Sequence, residues 1–263
     1  MYHKLKNDSI GLTVAAAAVF AAVGTANAQV IYNNGSTNTT AGIITGLGVG
    51  PVTGNNVSQA TAAVNNGGLT VSGNFRVADD FTIAARTNVT RLGVFAYMTG
   101  TYSDPSVSPF TGITVNIWNA SPGSDGASIV ASSAVMASTS WTGITRHFDG
   151  AAALADARRP VMEIVAQFGG EELSPGTYWI DYGLTGQLSA NTNAFTPFVM
   201  NGLDAGRSTA LGNAMQFNAG VWATTGVGSS LQAVDVPFYV VPSPSAAALL
   251  GIGGLVAMRR RRA

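Results

Sequence analysis

The sequence predicts an all-β protein, an antiparallel β-sandwich of jelly-roll-like type, flanked by an N-terminal signal helix and a short C-terminal hydrophobic helix. Three observations lead to this fold class. Short segments repeatedly alternate apolar and polar side chains, as strands with one buried face do. Clusters of Gly, Pro, Asn, Ser and Asp separate these segments and are typical of turns. Charged residues make up only 10% of the 263 residues, far below the usual share, so helices with ion-paired surfaces are not expected.

The composition also excludes several classes of site and partner. The chain has no cysteine, so disulfides, thiolate metal sites and cysteine nucleophiles are excluded. Residues 29–240 contain seven Arg, no Lys and twelve acidic residues. A nucleic-acid partner requires clustered Lys and Arg, and we therefore expect no nucleic-acid binding.

Residues 1–28 have the order of a secretory signal peptide. Two lysines precede an apolar stretch over residues 10–23, and the small residues Ala26 and Ala28 stand just before Gln29. A positive start, a short apolar stretch and a small-x-small site predict cleavage between Ala28 and Gln29. The apolar stretch is too short for a comfortable membrane span. An uncleaved anchor or an amphipathic core helix is the alternative interpretation.

Residues 29–240 form the predicted ectodomain. Residues 33–68 are its loop-rich part, because Asn, Gly, Thr and Ala dominate there. No fixed-period repeat is evident, which argues against a propeller or a solenoid. The predicted strands cover residues 75–83, 89–97, 113–118, 128–136, 143–148, 161–168, 177–184, 214–217 with 221–222, and 231–241.

Residues 241–263 form a tail of three parts: a proline-containing stretch, an apolar run over residues 246–258, and four arginines before the final alanine. The apolar run makes about 20 Å of helix at 1.5 Å per residue, which is short of the ~30 Å hydrocarbon core. The arginines are expected to stay on the cytoplasmic side, so the tail holds the chain briefly in the inner membrane with the ectodomain outside. A simple tail anchor that is never cleaved is the alternative.

These three parts, in this order, resemble the PEP-CTERM family of sorting signals, with Pro242-Ser243-Pro244 in place of Pro-Glu-Pro. The resemblance implies an exosortase-type membrane protease–transpeptidase as partner, loss of the tail, and delivery to the cell surface or an extracellular matrix. Residues 77–81 and 173–179 are also similar to short sequence segments that are common in exported members of this family with β-sandwich ectodomains. The residues of the predicted sorting motif are Val241, Pro242, Ser243, Pro244, Ser245, Arg259, Arg260, Arg261 and Arg262.

Residues that hydrolytic chemistry would need are sparse. His147 is the one histidine that survives signal removal, and no Gly-x-Ser-x-Gly elbow occurs, so a serine hydrolase is not expected. A histidine-based zinc site needs more imidazoles. Adjacent carboxylates, as at Asp79 and Asp80 or at Glu171 and Glu172, point to opposite faces of a strand. A glycosidase takes its carboxylates from separate elements, and the candidate pairs are Glu163 with Asp181 and Asp80 with Glu172.

Two weaker site hypotheses remain for the ectodomain. Exported β-sandwiches bind calcium through carboxylates, and Asp79 and Asp80 are the main candidates, although no EF-hand spacing is present. The alternative is that one of these two satisfies local backbone donors at a strand end. Trp141 stands in a loop-like context and is the candidate for glycan contact, with core packing as its alternative. Further calcium candidates are Asp104, Asp125 and Asp181, and Trp118 and Trp179 are expected in strands, buried or half-buried.

We therefore expect a non-enzymatic, exported protein without a required cofactor, with extracellular polysaccharide as a candidate contact. A carbohydrate-active hydrolase with carboxylate catalysis is the alternative. An adhesin or filament subunit is a weaker alternative, for which open strand edges would speak.

Overall fold

The computed structural model describes residues 32–33, 56–57, 68–99, 106–145, 159–186, 193–197, 199–200, 212–227 and 232–243. The predicted signal cleavage site and the tail from Pro244 onward lie outside these residues, and so do Asp104 and His147. The predicted N-terminal and C-terminal helices therefore stay predictions. No helix among the described residues is long and apolar enough to cross a bilayer.

Every regular element of the described residues is a β-strand, and nearly all pairs are antiparallel. This confirms the predicted all-β, antiparallel class for the part of the chain that the structure describes. The first nine strands are β1 (Tyr32–Asn33), β2 (Asn56–Val57), β3 (Leu69–Thr70), β4 (Arg76–Ile83), β5 (Thr87–Met98), β6 (Phe110–Trp118), β7 (Ile129–Ser133), β8 (Met136–Thr145) and β9 (Pro160–Leu173). The others are β10 (Gly176–Gly186), β11 (Ala194–Thr196), β12 (Val199–Met200), β13 (Met215–Asn218), β14 (Val221–Thr224), β15 (Gly226–Val227), β16 (Gln232–Asp235) and β17 (Phe238–Pro242).

The strands form two large sheets and one small one. The first sheet has the order β1-β17-β5-β9-β8-β2, with β11 joined to β5 and β3 joined to β11. The second sheet has the order β14-β13-β4-β10-β6-β7. A short third sheet, β12-β16-β15, precedes the last strand. The C-terminal strand β17 thus lies inside the first sheet, between β1 and β5.

The two large sheets contribute to one hydrophobic core. On the second sheet, Tyr182 of β10 lies directly opposite Val77 of β4 and Val115 of β6, and all three are fully buried. The rings of Phe81 and Phe238 meet edge to face at 6.1 Å, which joins the second sheet to the first. Because strand side chains alternate between faces, these positions repeat at every second residue. Burial of each such side chain stabilises the fold by about 1.5–3 kcal/mol.

The predicted strand over residues 128–136 is wrong in one respect, because it is two strands. β7 ends at Ser133 in the second sheet, and β8 starts at Met136 in the first. Between them the chain crosses from one sheet to the other, where the carbonyl of Val135 accepts the N–H of Gln167 at 2.9 Å. The hydroxyl of Ser133 donates to the carbonyl of the same Gln167. An apolar run carries no local signal for such a crossing, since both halves are strand-like.

Candidate functional site

The C-terminal strand carries the chain directly into the predicted sorting motif. Val240 of β17 is fully buried and pairs with Leu92 of β5. The strand continues through Pro242 with a shift of register, as expected where a residue lacks an N–H. The N–H of Ser243 then donates to the carbonyl of Asn88 at 2.7 Å. The pairing with β5 therefore extends past residue 240, the predicted end of the ectodomain, to Ser243.

Asp79 lies inside the core, close to the start of this last strand. It is 1% exposed and shares the inward face of β4 with Val77 and Phe81. One carboxylate oxygen accepts the N–H of Asp80 at 2.9 Å, and the other accepts the N–H of Val236 at 2.8 Å. Asp79 accepts backbone N–H groups, as the alternative predicted for one of the two aspartates. The predicted strand-end position and purely local donors are wrong, because Asp79 lies in the middle of β4 and one donor, Val236, comes from a distant part of the chain.

The surroundings of Asp79 disfavour negative charge. Burial raises the pKa of Asp79 well above its ordinary value, and the nearby Asp235 raises it further. The N–H groups of Val236 and Asp80 oppose this only in part. The Tyr182 hydroxyl donates to Thr196 at 2.8 Å, and burial, with a smaller contribution from Asp79, raises the pKa of Tyr182.

Asn213 connects the other two acidic residues of this corner. Its backbone N–H donates to Asp235 at 3.1 Å, and its side-chain amide donates to Asp80 at 2.8 Å. Asp80 is half-buried, whereas Asp235 is 2% exposed. Among the described residues, no group of three or more His, Cys, Asp or Glu side chains has the arrangement of a metal site. Calcium binding by Asp79 and Asp80 therefore stays a prediction.

A second buried carboxylate, Asp181, lies on the opposite, outer face of the second sheet. It is fully buried and forms an ion pair with Arg76 of β4. The indole N–H of Trp118 donates to it, and the amide of Asn116 donates at 3.0 Å. Asn116 in turn accepts the hydroxyl of Ser132 at 2.8 Å. Burial raises the pKa of Asp181, while Arg76 and the two neutral donors act in the opposite direction.

The loop after β6 covers this outer face. The hydroxyl of Ser121 donates to the sulfur of Met215 at 3.1 Å, and a Cβ added at Gly123 would lie 3.3 Å from Trp222. Met215 and Trp222 belong to the hairpin of β13 and β14. Because β10 and β4 lie between β6 and β13, the loop must cross above them. The loop thus links the end of β6 to the edge hairpin of the same sheet.

The structure does not bring together the predicted pairs of carboxylates. Glu163 lies on β9 in the first sheet, where it accepts the hydroxyl of Tyr239 at 2.8 Å. Asp181 lies on β10 in the second sheet. Glu172 is also on β9, 54% exposed and paired with Arg86 at 2.7 Å, while Asp80 lies on β4 in the second sheet. Neither pair has two carboxylates on neighbouring strands of one sheet.

Tyr239 reaches Glu163 only because Gly93 lies between their strands. A Cβ at Gly93 would lie 2.2 Å from the Tyr239 ring, so any other residue there forces the ring away. Burial and the charge of Glu163 raise the pKa of Tyr239. Glu163 is thereby held in a structural hydrogen bond on the outer face of the first sheet.

The tryptophans take structural positions. Trp141 lies within β8 rather than in a loop, is half-buried, and packs against the main core. Trp118 and Trp179 lie directly opposite each other on β6 and β10, and both are half-buried, as expected.

An open depression of about 330 Å³ lies at the edge hairpin of β13 and β14. It is lined by Gln216, Asn218, Val221, Ala223, Thr224 and Thr225.

Sequence reasoning missed Arg76 and Asp235, which complete the two carboxylate clusters. Each is a lone charged residue within an apolar strand-like run, Phe75-Arg76-Val77 and Val234-Asp235-Val236. Charged residues are almost never buried unless they are paired. Such isolated charges in apolar strands were the available signal for these clusters.

Comparison with known proteins adds no family to these observations. No protein-family model matches the chain, and no curated protein sequence matches it.

Proposed function

We propose that the chain is an exported, non-enzymatic protein whose C-terminal tail is a sorting signal of the PEP-CTERM type. The two large sheets form a β-sandwich ectodomain, jelly-roll-like, between a cleaved signal helix and a short C-terminal hydrophobic helix. The shared core of the two sheets, joined by the contact of Phe81 with Phe238, supports the sandwich. The destination is the cell surface or an extracellular matrix.

One observation carries this proposal furthest: the folded strand runs directly into the proline motif. Ser243 is still bonded to Asn88, and the remaining motif residues follow immediately. A membrane protease–transpeptidase of the exosortase type would then act just beyond the last paired residue. Cleavage on the C-terminal side of Ser243 would leave the whole of β17 in the sheet. Because the tail's apolar run is shorter than the hydrocarbon core, its stay in the inner membrane would be brief.

The engagement of the buried carboxylates supports a non-enzymatic ectodomain. A catalytic acid or base must reach the proton it transfers. The carboxylate of Asp181 is held by Arg76 and two neutral donors, and that of Asp79 by two backbone N–H groups. Neither group is exposed to a substrate in this arrangement.

The proposal is tested by fractionation and mass spectrometry in the native host. When the full-length protein is expressed, its processed form is expected at the surface or in the matrix. This form should begin at Gln29 and lack the apolar run and the arginines. A chain that ends at Ser243 should be exported in soluble form, and replacement of Arg259, Arg260, Arg261 and Arg262 by Ser should weaken inner-membrane retention. Native protein recovered inside the cell with both ends intact would contradict the proposal.

The weaker alternative, an adhesin or filament subunit, has one specific observation in its favour. β7 is the last strand of the second sheet, and it exposes 48% of Ile129 and 44% of Val130. Open strand edges with apolar side chains are templates for pairing with another chain. This alternative predicts filaments of the purified protein that Val130→Lys abolishes, and dispersed single molecules would argue against it.

A further inference from the structure

The hairpin of β13 and β14 has two unlike faces, because side chains alternate along its strands. On one face the rings of Phe217 and Trp222 lie 5.2 Å apart. Met215, on the same face, accepts the hydroxyl of Ser121 from the loop after β6 at 3.1 Å. This face therefore packs against the chain's own side chains, which holds the hairpin in place.

The other face of the hairpin opens onto the depression of about 330 Å³. Gln216 lies there directly opposite Ala223, and Asn218 lies directly opposite Val221. The side-chain amide of Gln216 donates to the carbonyl of Thr70 in β3 at 2.9 Å, which ties this face to the first sheet. Val221 is 65% exposed. The depression is thus an open recess with a fixed amide on one side and an exposed apolar side chain on the other.

The lining of the depression offers only neutral groups. It contains two side-chain amides and two threonine hydroxyls, and the other two lining residues are a valine and an alanine. A charged ligand would lose its water without meeting an opposite charge. A purely apolar ligand would leave the amides and hydroxyls without partners. Amides and hydroxyls both donate and accept hydrogen bonds, which matches the hydroxyls of a sugar, and the two apolar side chains match the C–H groups of its ring.

We propose that this depression is a binding site for a neutral sugar unit, such as one ring of an uncharged polysaccharide. Its volume lies at the lower end of the ~300–1,000 Å³ range of small-molecule sites, which suits a ligand as small as a single ring. The site places the glycan contact at the hairpin and not at Trp141, which packs against the core. It concerns only the folded ectodomain, so it does not rest on the proposed sorting of the chain.

The turn of the hairpin fixes the rim of the site. Ala219 and Gly220 both have positive φ angles, +51° and +89°, as the two central residues of a type I′ turn do. Ala219 is the one non-glycine residue with a positive φ among the described residues, and alanine is strained in this conformation. Such strain is concentrated at sites that need a fixed shape. Here it holds Asn218 opposite Val221 at the rim before any ligand binds.

Nuclear magnetic resonance tests the site on the full-length chain, labelled with ¹⁵N. The chain is kept in a polyoxyethylene detergent, because a detergent with a sugar head group would compete for the site. Glucose, galactose, mannose and N-acetylglucosamine are each titrated to about 200 mM. At least one of them should shift the backbone amides of residues 216–225 saturably, with a Kd of roughly 1–10 mM, as expected for so small a ligand. If none does, the depression is a hydrated surface only and the proposal is overturned.

Cyclohexanol tests the chemical class of the ligand, because it has a six-membered ring but only one hydroxyl. It should bind at least about tenfold more weakly than the best neutral sugar, since it leaves most of the amides and hydroxyls unpaired. If cyclohexanol binds as tightly as that sugar, the polar groups of the lining do not recognise the ligand. The proposal then fails.

Asn218→Ala removes an exposed amide from the rim and should weaken binding of the best sugar by about tenfold, the loss expected for one or two hydrogen bonds. Asn88→Ala is the matched control, since Asn88 is an exposed asparagine on β5 of the first sheet. It should bind the sugar as the wild type does.

A second variant on the other strand keeps the test decisive if Asn218→Ala disturbs the turn. Val221→Ser removes apolar contact with the sugar ring and should weaken binding by about threefold. The proposal is overturned if Asn218→Ala and Val221→Ser both keep the wild-type affinity, or if Asn88→Ala loses as much affinity as they do.

Discussion

The second sheet buries one aspartate on each of its faces, and the two are compensated in different ways. Asp181, on the outer face, meets a guanidinium, an indole N–H and an amide. Asp79, on the inner face, meets two backbone N–H groups and a neighbouring carboxyl. A buried charge with an opposite charge beside it is a fixed ion pair that fails when one partner is removed. Burial and a neighbouring carboxyl instead raise the pKa of a carboxyl and so favour its neutral form. The comparison teaches that one sheet uses the same side chain in an ion pair on one face and as an acceptor of backbone N–H groups on the other.

The largest effect is expected from breaking the outer ion pair with Arg76→Met. The substitution leaves Asp181 buried without its cation, and we expect a loss of about 3 kcal/mol in the free energy of unfolding, at the low end because Arg76 is partly exposed. Arg86→Met is the matched control, since Arg86 and Glu172 form an exposed pair worth about 0.5 kcal/mol. Urea unfolding of the two variants measures both. If both variants lose the same free energy of unfolding, burial of Asp181 does not depend on the charge of Arg76. Asp181 and Asp79 would then not differ in their need for an opposite charge.

A smaller effect is expected from shortening the strand that Asp79 holds. A chain that ends at Val240 loses the pairing of Val241 with Arg91 and the hydrogen bond from Ser243 to Asn88. We expect a loss of about 2 kcal/mol relative to a chain that ends at Ser243, since each hydrogen bond contributes about 1 kcal/mol. Thermal unfolding of the two truncated chains provides the measurement. If they unfold at the same temperature, the inward aspartate rather than the pairing with β5 holds this end of the chain.

The smallest effect concerns the loop between β6 and β7, which contacts the hairpin of β13 and β14. Gly123 and Gly126 both have positive φ angles, +84° and +77°, so alanine at either position costs about 1 kcal/mol of backbone strain. Only at Gly123 does the added Cβ meet another side chain, that of Trp222. Gly123→Ala should therefore destabilise the protein by about 0.5 kcal/mol more than Gly126→Ala. The difference in urea midpoint between the two variants reports it, and equal midpoints would indicate that the loop does not press on the hairpin.

The sequence predicted the structure correctly where the pattern, such as period-two alternation, involves only a few neighbouring residues. Alternation along Val77, Phe81 and Ile83 predicted an inward face for β4, and the structure has it. It also predicted that Asp79 and Asp80 point to opposite faces, as they do. The same local reasoning put Trp141 in a loop, because short polar residues surround it, whereas pairing with Met162 draws it into β8. Turn-like composition is weak evidence for a loop where a neighbouring strand supplies hydrogen bonds to the backbone.

Residue order alone carries the strand class, the apolar faces and the two terminal segments with their predicted export and sorting roles. These depend on period-two alternation and on runs of like residues, and each is complete within a short window of chain. Contacts across the chain fixed the rest: Arg76 beside Asp181, the N–H of Val236 at Asp79, and Asn213 between two acids. Each of those contacts joins residues far apart in the chain. The strand order and register that bring them together are set when the two sheets bury their common core, and no local pattern encodes them.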